Sequence, residues 1–379
     1  MTKGLKYKIV LILFLSWLYQ NVTRPIFFLF DPELVHNFVT FQGELIGRLQ
    51  TATKILNKLF GYKSPVLKQT VAGITFKSPL GLAAGFDYEA KLTGILPSLG
   101  FGFNTVGTIT NLPYEGNPGP MFGRLPKSKS LMVNKGFKNK GAKEIADKLA
   151  KLNFEIPIGI SIGKSNTKKR ETQKTAIEDI LLAFRIFESL NIKNAYYELN
   201  ISCPNLYGNI TFYPPKNLDE LLTAVYKAKL SKPVFIKMPI NETDTQTLKM
   251  LDVIVRHKIA GVIFGNLQKD RKNPEIKQEE IKWKNGNFSG LPTQKRSDEL
   301  ISLAYEHCKG KLIIIGCGGI FSAEDAYRKI KLGASLLQLI TGLIYEGPLL
   351  VAKINNDLPK LLKRDGFKTI SEAIGSEVN

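Results

Sequence analysis

Cysteine and histidine are scarce in this 379-residue chain, with three of each. Cys203, Cys308 and Cys317 are too few for a disulfide framework at this length and lack structural zinc spacing. His36, His257 and His307 bring no ligand cluster, so no metal is expected, and no Ser–His–Asp arrangement is evident. Acidic residues are also short: 33 against 53 basic ones, a net charge of +20. That excess suits nucleic acid, anionic lipid or an anionic small molecule, although a lysine-rich solvated face accounts for it as well. Much of it is local, with fourteen basic and four acidic residues between Arg124 and Lys174. Hydrophobic residues are not lacking. At 44% they exclude a disordered or collagenous chain.

Long apolar runs are absent too. The purest, Ile9–Leu18, is short for a membrane-spanning helix. Lys3, Lys6 and Lys8 precede it, and Tyr19–Arg24 offers no small-x-small cleavage site. Trp17 and Tyr19 suit a membrane interface, and Ile26–Phe30 adds a second cluster beyond Arg24 and Pro25. Residues 1–30 therefore read as a membrane anchor, spanning or interfacial, with its lysines on the cytoplasmic face of the cell membrane. Residues 31–65 turn helical: Leu34, Val35, Phe38 and Phe41 recur at three- and four-residue steps, followed by Leu45, Ile46, Leu49, Ile55, Leu56 and Leu59. Asp31-Pro-Glu33 is a plausible N-terminal cap. Such helices either pack on the main domain or lean into lipid and cover a route for an apolar substrate.

Beyond Pro65 the chain alternates. Short β-compatible runs fall at 80–84, 103–107, 158–162, 195–200, 234–238, 261–264, 312–315 and 335–339, and helix-length amphipathic stretches separate most of them. About eight strand–helix units in some 300 residues imply a (β/α)8 TIM barrel over 66–379, with a doubly wound open sheet as the alternative. Barrel chemistry sits where the strands end. Those ends carry Ala84-Gly85, Thr108, Ser161, Asn200 to Asn205, Lys237, Gly265-Asn266, Gly316 to Gly319, and Ile340-Thr341. The glycines after the seventh run let backbone N–H groups approach a phosphate. Lys237 can stabilise negative charge on a cofactor. Asn134, Asn200, Asn205 and Asn266 form an amide set for a flat ligand with alternating carbonyl and N–H groups, although each alone more often makes a turn. Cys203 is the one reactive side chain with a natural place here, as a general base or as a small buried hydrophobe.

These residues resemble the dihydroorotate dehydrogenase family over nearly everything from Phe28 to Gly347. The resemblance rests on Phe28-Leu-Phe-Asp-Pro-Glu-Leu-Val-His36, Pro79-Leu-Gly-Leu-Ala-Ala-Gly-Phe-Asp87, Asn200-Ile-Ser-Cys-Pro-Asn205, and Gly316-Cys-Gly-Gly319 with Gly333-Ala-Ser-Leu336. It implies a barrel that binds FMN and oxidises dihydroorotate to orotate. The leader and helical extension are similar to the membrane-associated class, whose N-terminal helices form a tunnel for quinone. By motif, the FMN contacts implied are Ala84, Gly85, Thr108, Ser161, Asn200, Lys237, Gly265, Gly290, Gly319, Ile340 and Thr341. The implied substrate contacts are Asn134, Gly136, Phe137, Asn200, Asn205 and Asn266, with Cys203 as catalytic base and Lys237 supporting the reduced flavin.

The chain departs from the family pattern in places. A cysteine base belongs to the soluble class, whereas the membrane class has serine. Tyr88 stands where the family has a lysine beside flavin and substrate. Val133-Asn-Lys-Gly-Phe137 is one residue shorter than the usual asparagine-x-x-Gly-Phe. Ser161 replaces an asparagine, and Gly265-Asn-Leu267 and Ile340 lack common hydroxyls. The expected partners are dihydroorotate and orotate, membrane quinone and the lipid bilayer, with no nucleic acid. Another FMN barrel, such as a tRNA dihydrouridine synthase, and a catalytically inactive membrane-bound barrel are the alternatives.

Overall fold

The computed structural model describes residues 3–61, 64–167, 172–208 and 210–378. Eight parallel strands close into a barrel: β1 (Leu80–Leu82), β2 (Phe103–Ile109), β3 (Ile158–Ile162), β4 (Tyr196–Asn200), β5 (Val234–Met238), β6 (Gly261–Phe264), β7 (Ile313–Cys317) and β8 (Leu336–Leu339). They pair in chain order, and β8 returns to β1 from Leu337↔Leu80 to Leu339↔Leu82. Every residue of β2 to β6 is buried, one face inside the barrel and the other under helices. That two-sided burial makes these strands near-continuous apolar runs. The barrel is thus the expected (β/α)8 form, not an open sheet.

The N-terminal segment holds α1 (Lys3–Leu18), α2 (Arg24–Phe28), α3 (Pro32–Arg48) and α4 (Gln50–Phe60). Around the barrel run α5 (Ala142–Leu149), α6 (Gln173–Ser189), α7 (Pro215–Lys227), α8 (Asp244–Arg256), α9 (Gln294–Cys308) and α10 (Ala323–Lys331). α11 (Thr341–Glu346) and α12 (Leu350–Arg364) follow β8. After β1 there is only a 3-10 turn, Leu96–Leu99, against which α4 packs, with Ser98 Oγ donating to the Thr53 carbonyl at 3.1 Å. The α3 helix crosses close beside it because two glycines meet: a Cβ on Gly94 would lie 2.7 Å from the Gly47 carbonyl oxygen.

An antiparallel hairpin, Gln69–Val71 with Ile74–Phe76, closes the N-terminal end of the barrel. Its Val71 and Phe76 pack on Phe103, Tyr196, Phe235 and Leu336, residues at or near the strand starts. At the other end a three-stranded sheet, Phe122–Leu125, Ser130–Val133 and Asn287–Phe288, stands over the rim. These strands of two to four residues are too short to announce themselves by alternation.

The leader does not break at Arg24–Pro25. The α1 helix runs through a π-helical turn, Tyr19–Thr23, into α2, whose first turn tolerates Pro25. Its polar side is tied to the barrel: Tyr19 Oη donates to Ile344 O at 2.9 Å, and Arg24 to Tyr345 O at 2.8 Å. Gln20 donates to Glu346 at 2.6 Å, and Lys8 Nζ to Gly61 O at 2.8 Å. Ile12 is buried against Phe60, Leu349 and Ala352, while Val10, Leu13, Phe14 and Trp17 face outward. Asp31 caps α3 as expected, accepting from the backbone of Glu33 and Leu34.

Candidate active site

The strand ends converge on a cavity of about 530 Å³ that runs from the rim out between α2, α3 and the barrel. Its inner wall includes Ala84, Gly85, Thr108, Asn200, Cys203, Lys237 and Asn266. Its outer part is apolar, with Phe27, Val35, Phe38, Val39 and Ile46 from the N-terminal helices. A second cavity of about 100 Å³ adjoins it and shares Ala84, Lys237, Ile340 and Thr341 as walls. Gly265, Gly290, Gly318 and Gly319 line this smaller space. Gly318 and Gly319 have φ of 102° and 67°, values that disfavour a side chain.

Beneath the cavity lies a buried polar chain. Asn200 Nδ2 donates to Thr108 Oγ1 at 2.8 Å, which lies 2.9 Å from Ser161 Oγ. Ser161 donates to Glu198 Oε1 at 2.7 Å, and the same oxygen is 3.9 Å from Lys237 Nζ. Glu198 has no solvent exposure and Lys237 almost none, so each charge depends on the other and on these hydrogen bonds. Asn200 Oδ1 also accepts from the Ser202 hydroxyl, which in turn takes a short hydrogen bond from Asn266 Nδ2. The β4 segment therefore orients three of the expected amides and hydroxyls as one unit.

Cys203 follows this segment and keeps its residual exposure toward the cavity it lines. Burial pushes its thiol up to about 12, against the opposing pull of the Asn205 backbone N–H, Lys237 and Lys269. Asn205 donates to Val133 O at 3.0 Å and accepts from Asn287 Nδ2 at 2.6 Å, which ties the cysteine loop to the small sheet. Gly136 and Phe137 both have positive φ, 64° and 66°. For a phenylalanine that conformation costs about 1–2 kcal/mol. Asn139 Nδ2 holds the Phe137 carbonyl at 2.7 Å, and Gly136 and Phe137 line the cavity.

Two expected contacts stand off the wall. Asn134 is buried behind it, its Oδ1 accepting from Asn117 Nδ2 at 3.0 Å, while Val133 and Lys135 on either side line the cavity. Ser161 sits one hydrogen bond deeper than Thr108. The sequence reading missed Lys135, Glu198 and Asn117, and it left His36 without a role. His36 packs edge-on to Phe86 and stacks on Tyr88 with ring centroids 5.5 Å apart. Burial, helped by Lys135, pushes its pKa down to about 3. Asn117 accepts from Tyr114 Oη and donates to both Asn134 and the Asn205 carbonyl. No pattern in the chain marks it.

The dihydroorotate dehydrogenase family model matches residues 66–362. The chain belongs to that family. Among its relatives, the dihydroorotate dehydrogenase (quinone) of Gloeobacter violaceus is 38% identical over 361 residues, covering 94% of this chain and 98% of its own length. That of Trichodesmium erythraeum is 35% identical over 380 residues, with the same coverage. The crystal structure of the Eimeria tenella dihydroorotate dehydrogenase in complex with ferulenol superposes with a TM-score of 0.81 at 28% identity, covering 92% of this chain and 96% of that one. Membership in the dihydroorotate dehydrogenase family decides against the tRNA dihydrouridine synthase alternative.

Proposed function

We propose that this chain oxidises dihydroorotate to orotate in pyrimidine biosynthesis, with FMN as resident cofactor and membrane quinone as electron acceptor. The observation that carries the reading is the pair of joined cavities. The small glycine-walled one has the size and backbone access for a phosphate, and the larger one carries amides, a thiol and a lysine at its inner end. FMN fits this donor set: Gly265, Gly290, Gly319 and Thr341 of the smaller cavity would hold its phosphate, and Ala84, Gly85, Thr108, Asn200 and Lys237 of the larger one would hold the rest. When bound, FMN supplies the two-electron acceptor for the substrate and the donor for quinone.

The protein's own groups do the rest. Asn200, Asn205 and Asn266 present amide donors and acceptors to the ring of the substrate. Cys203 takes the proton from the carbon beside the oxidised one. Lys237 offsets negative charge that grows as the substrate is oxidised, and Glu198 holds it in place. Gly136 and Phe137 close the site over the substrate.

The apolar outer cavity supports quinone entry between α2, α3 and the barrel. Membrane association is supported by the outward face of the N-terminal helices. Of the large exposed apolar side chains among the described residues, sixteen fall between Tyr7 and Ile55 and four elsewhere. A patch of that extent marks an interaction surface. Tyr7–Phe28 is long and apolar enough to cross a membrane. Its ties at Tyr19, Gln20 and Arg24 favour a helix lying in the interface of the cytoplasmic leaflet. Anaerobic mixing of the purified protein with dihydroorotate tests the core of this reading. The flavin absorbance should bleach, and an unbleached flavin would refute it.

A further inference from the structure

Lys135 is a buried cation facing the active-site cavity with nothing negative beside it. The residue is 7% exposed, and its ammonium donates one hydrogen bond, to Tyr88 Oη at 2.8 Å. The ammonium also lies 4.0 Å from the centroid of the Tyr88 ring and 4.4 Å from that of Phe122. Among the described residues no carboxylate comes within 4.0 Å of it. The acidic groups whose charge reaches it are already engaged, Glu33 with Lys138 at 2.7 Å and Glu89 with Lys91 at 2.9 Å. Burying an ammonium without a counter-charge is costly, and two aromatic faces recover only part of that cost. Such an arrangement makes sense when a ligand brings the missing charge.

Three candidate ligands meet this cavity under the proposed function, and the inference rests on that reading. Quinone is neutral. The cofactor phosphate belongs to the glycine-walled cavity, which Lys135 does not line. Dihydroorotate and orotate carry a permanent carboxylate. Tyr88, moreover, occupies the position where the family resemblance expects a lysine near the substrate, and the Lys135 ammonium rests on that tyrosine. We propose that Lys135 is the carboxylate-binding residue of the substrate pocket, supplying from the Gly136 loop the positive charge that position 88 lacks.

The charge is conditional on pH. Burial pushes the Lys135 pKa down to about 7, with Glu33 and Glu89 pulling the other way and Lys138 and Lys91 adding to the fall. Of the other groups facing it, His36 on α3 is neutral above pH 5, and the Tyr88 hydroxyl is held far above its ordinary range. Neither titrates between pH 6 and 8.5. Orotate affinity should therefore weaken above pH ~7 by up to about tenfold per unit, because a neutral amine loses the charge that pairs with the carboxylate.

The test is orotate binding to the full-length, flavin-loaded protein, read from the flavin absorbance shift across pH 6–8.5. Lys135→Met keeps the apolar stem. It should weaken orotate binding roughly 10- to 150-fold at pH 6.5, the range of a hydrogen bond to a charged group, and flatten the pH profile. Its melting temperature without orotate should not fall, since an unpaired buried charge has been removed. Adding Tyr88→Lys to Lys135→Met should recover affinity by restoring an ammonium from the other side. Unchanged orotate affinity in Lys135→Met overturns the proposal, as does unchanged affinity with a raised KM for quinone, which would assign the ammonium to the acceptor. A wild-type protein that bound flavin but no orotate would overturn the proposed function itself, and this inference with it.

Discussion

Cys203 offers the sharpest test of the chemistry, because its surroundings oppose the form it must take. A base at this position acts as thiolate, yet burial raises the thiol to about 12. At pH 8 about one thiol in ten thousand is then ionised, a cost of about 5 kcal/mol at 1.36 kcal/mol per unit. The sign follows directly. The thiolate fraction, and with it the rate of substrate oxidation, should rise about tenfold per pH unit from pH 6 to 9. The rate must be taken at saturating dihydroorotate, because Lys135 makes affinity fall over the same range. Anaerobic stopped-flow at the flavin absorbance band isolates this step. Cys203→Ala should keep its flavin and lose roughly two to four orders of magnitude in rate. Cys203→Ser should be slow at pH 8 and still climbing at pH 9, because a hydroxyl is the weaker acid. A wild-type rate that is flat from pH 6 to 9, together with a Cys203→Ala rate within tenfold of it, would sink the assignment.

Glu198→Gln should destabilise the protein by about 3–5 kcal/mol, seen as a lower midpoint in denaturant, because Lys237 is left buried without its partner. The same variant should raise the flavin midpoint potential, since Lys237 is no longer offset. Gly319→Ala should purify with little flavin: its φ is 67°, and a Cβ there would sit 2.3 Å from that of Gln294. Deleting residues 1–24 removes the outward apolar face of α1 and the ties at Tyr19, Gln20 and Arg24. It should weaken sedimentation with anionic vesicles, the exposed apolar side chains from Ile26 to Ile55 remaining, while leaving anaerobic flavin reduction intact, because no proposed cofactor or substrate contact precedes Ala84. Loss of flavin reduction in that truncation would mean the leader supports the site as well as the membrane.

The parts of the molecule legible in the sequence are those whose physics is local. All eight barrel strands fall within two or three residues of the apolar runs, because parallel strands buried on both faces need no partner to declare themselves. The rim was legible because the fold delivers every strand end to one side. The hairpin under the barrel and the sheet above it were not, being two to four residues per strand and defined by their pairing. The leader was readable as apolar, but not its course. Whether Pro25 ends a helix depends on the π-turn before it and on the hydrogen bonds of Tyr19 and Arg24 to residues more than 300 positions away. Asn134 shows the limit at single-residue scale. Its type suited the pocket, but the strand leading to it leaves its neighbours, Val133 and Lys135, on the wall.

The two lysines of the site make the same point about charge. Lys237 and Lys135 are comparably buried, at 5% and 7% exposure, yet the chain treats them oppositely. Lys237 has Glu198 at 3.9 Å, one strand away in the barrel, so its charge is balanced before any ligand arrives and serves as a fixed element of the site. Lys135 has two aromatic rings and a phenol, none able to balance it, and so it costs stability until an anion binds. A paired buried charge orients and a lone one selects. Neither role is visible in a list of lysines, since the partner of Lys237 sits 39 positions away and the surroundings of Lys135 come from α3, the loop after β1 and the strand at Phe122. Moving the lone charge back to position 88, with Lys135→Met and Tyr88→Lys together, therefore asks whether selection depends on where the ammonium originates or only on where it ends. Recovered orotate affinity would show that the pocket reads the position of the charge and not the segment that carries it.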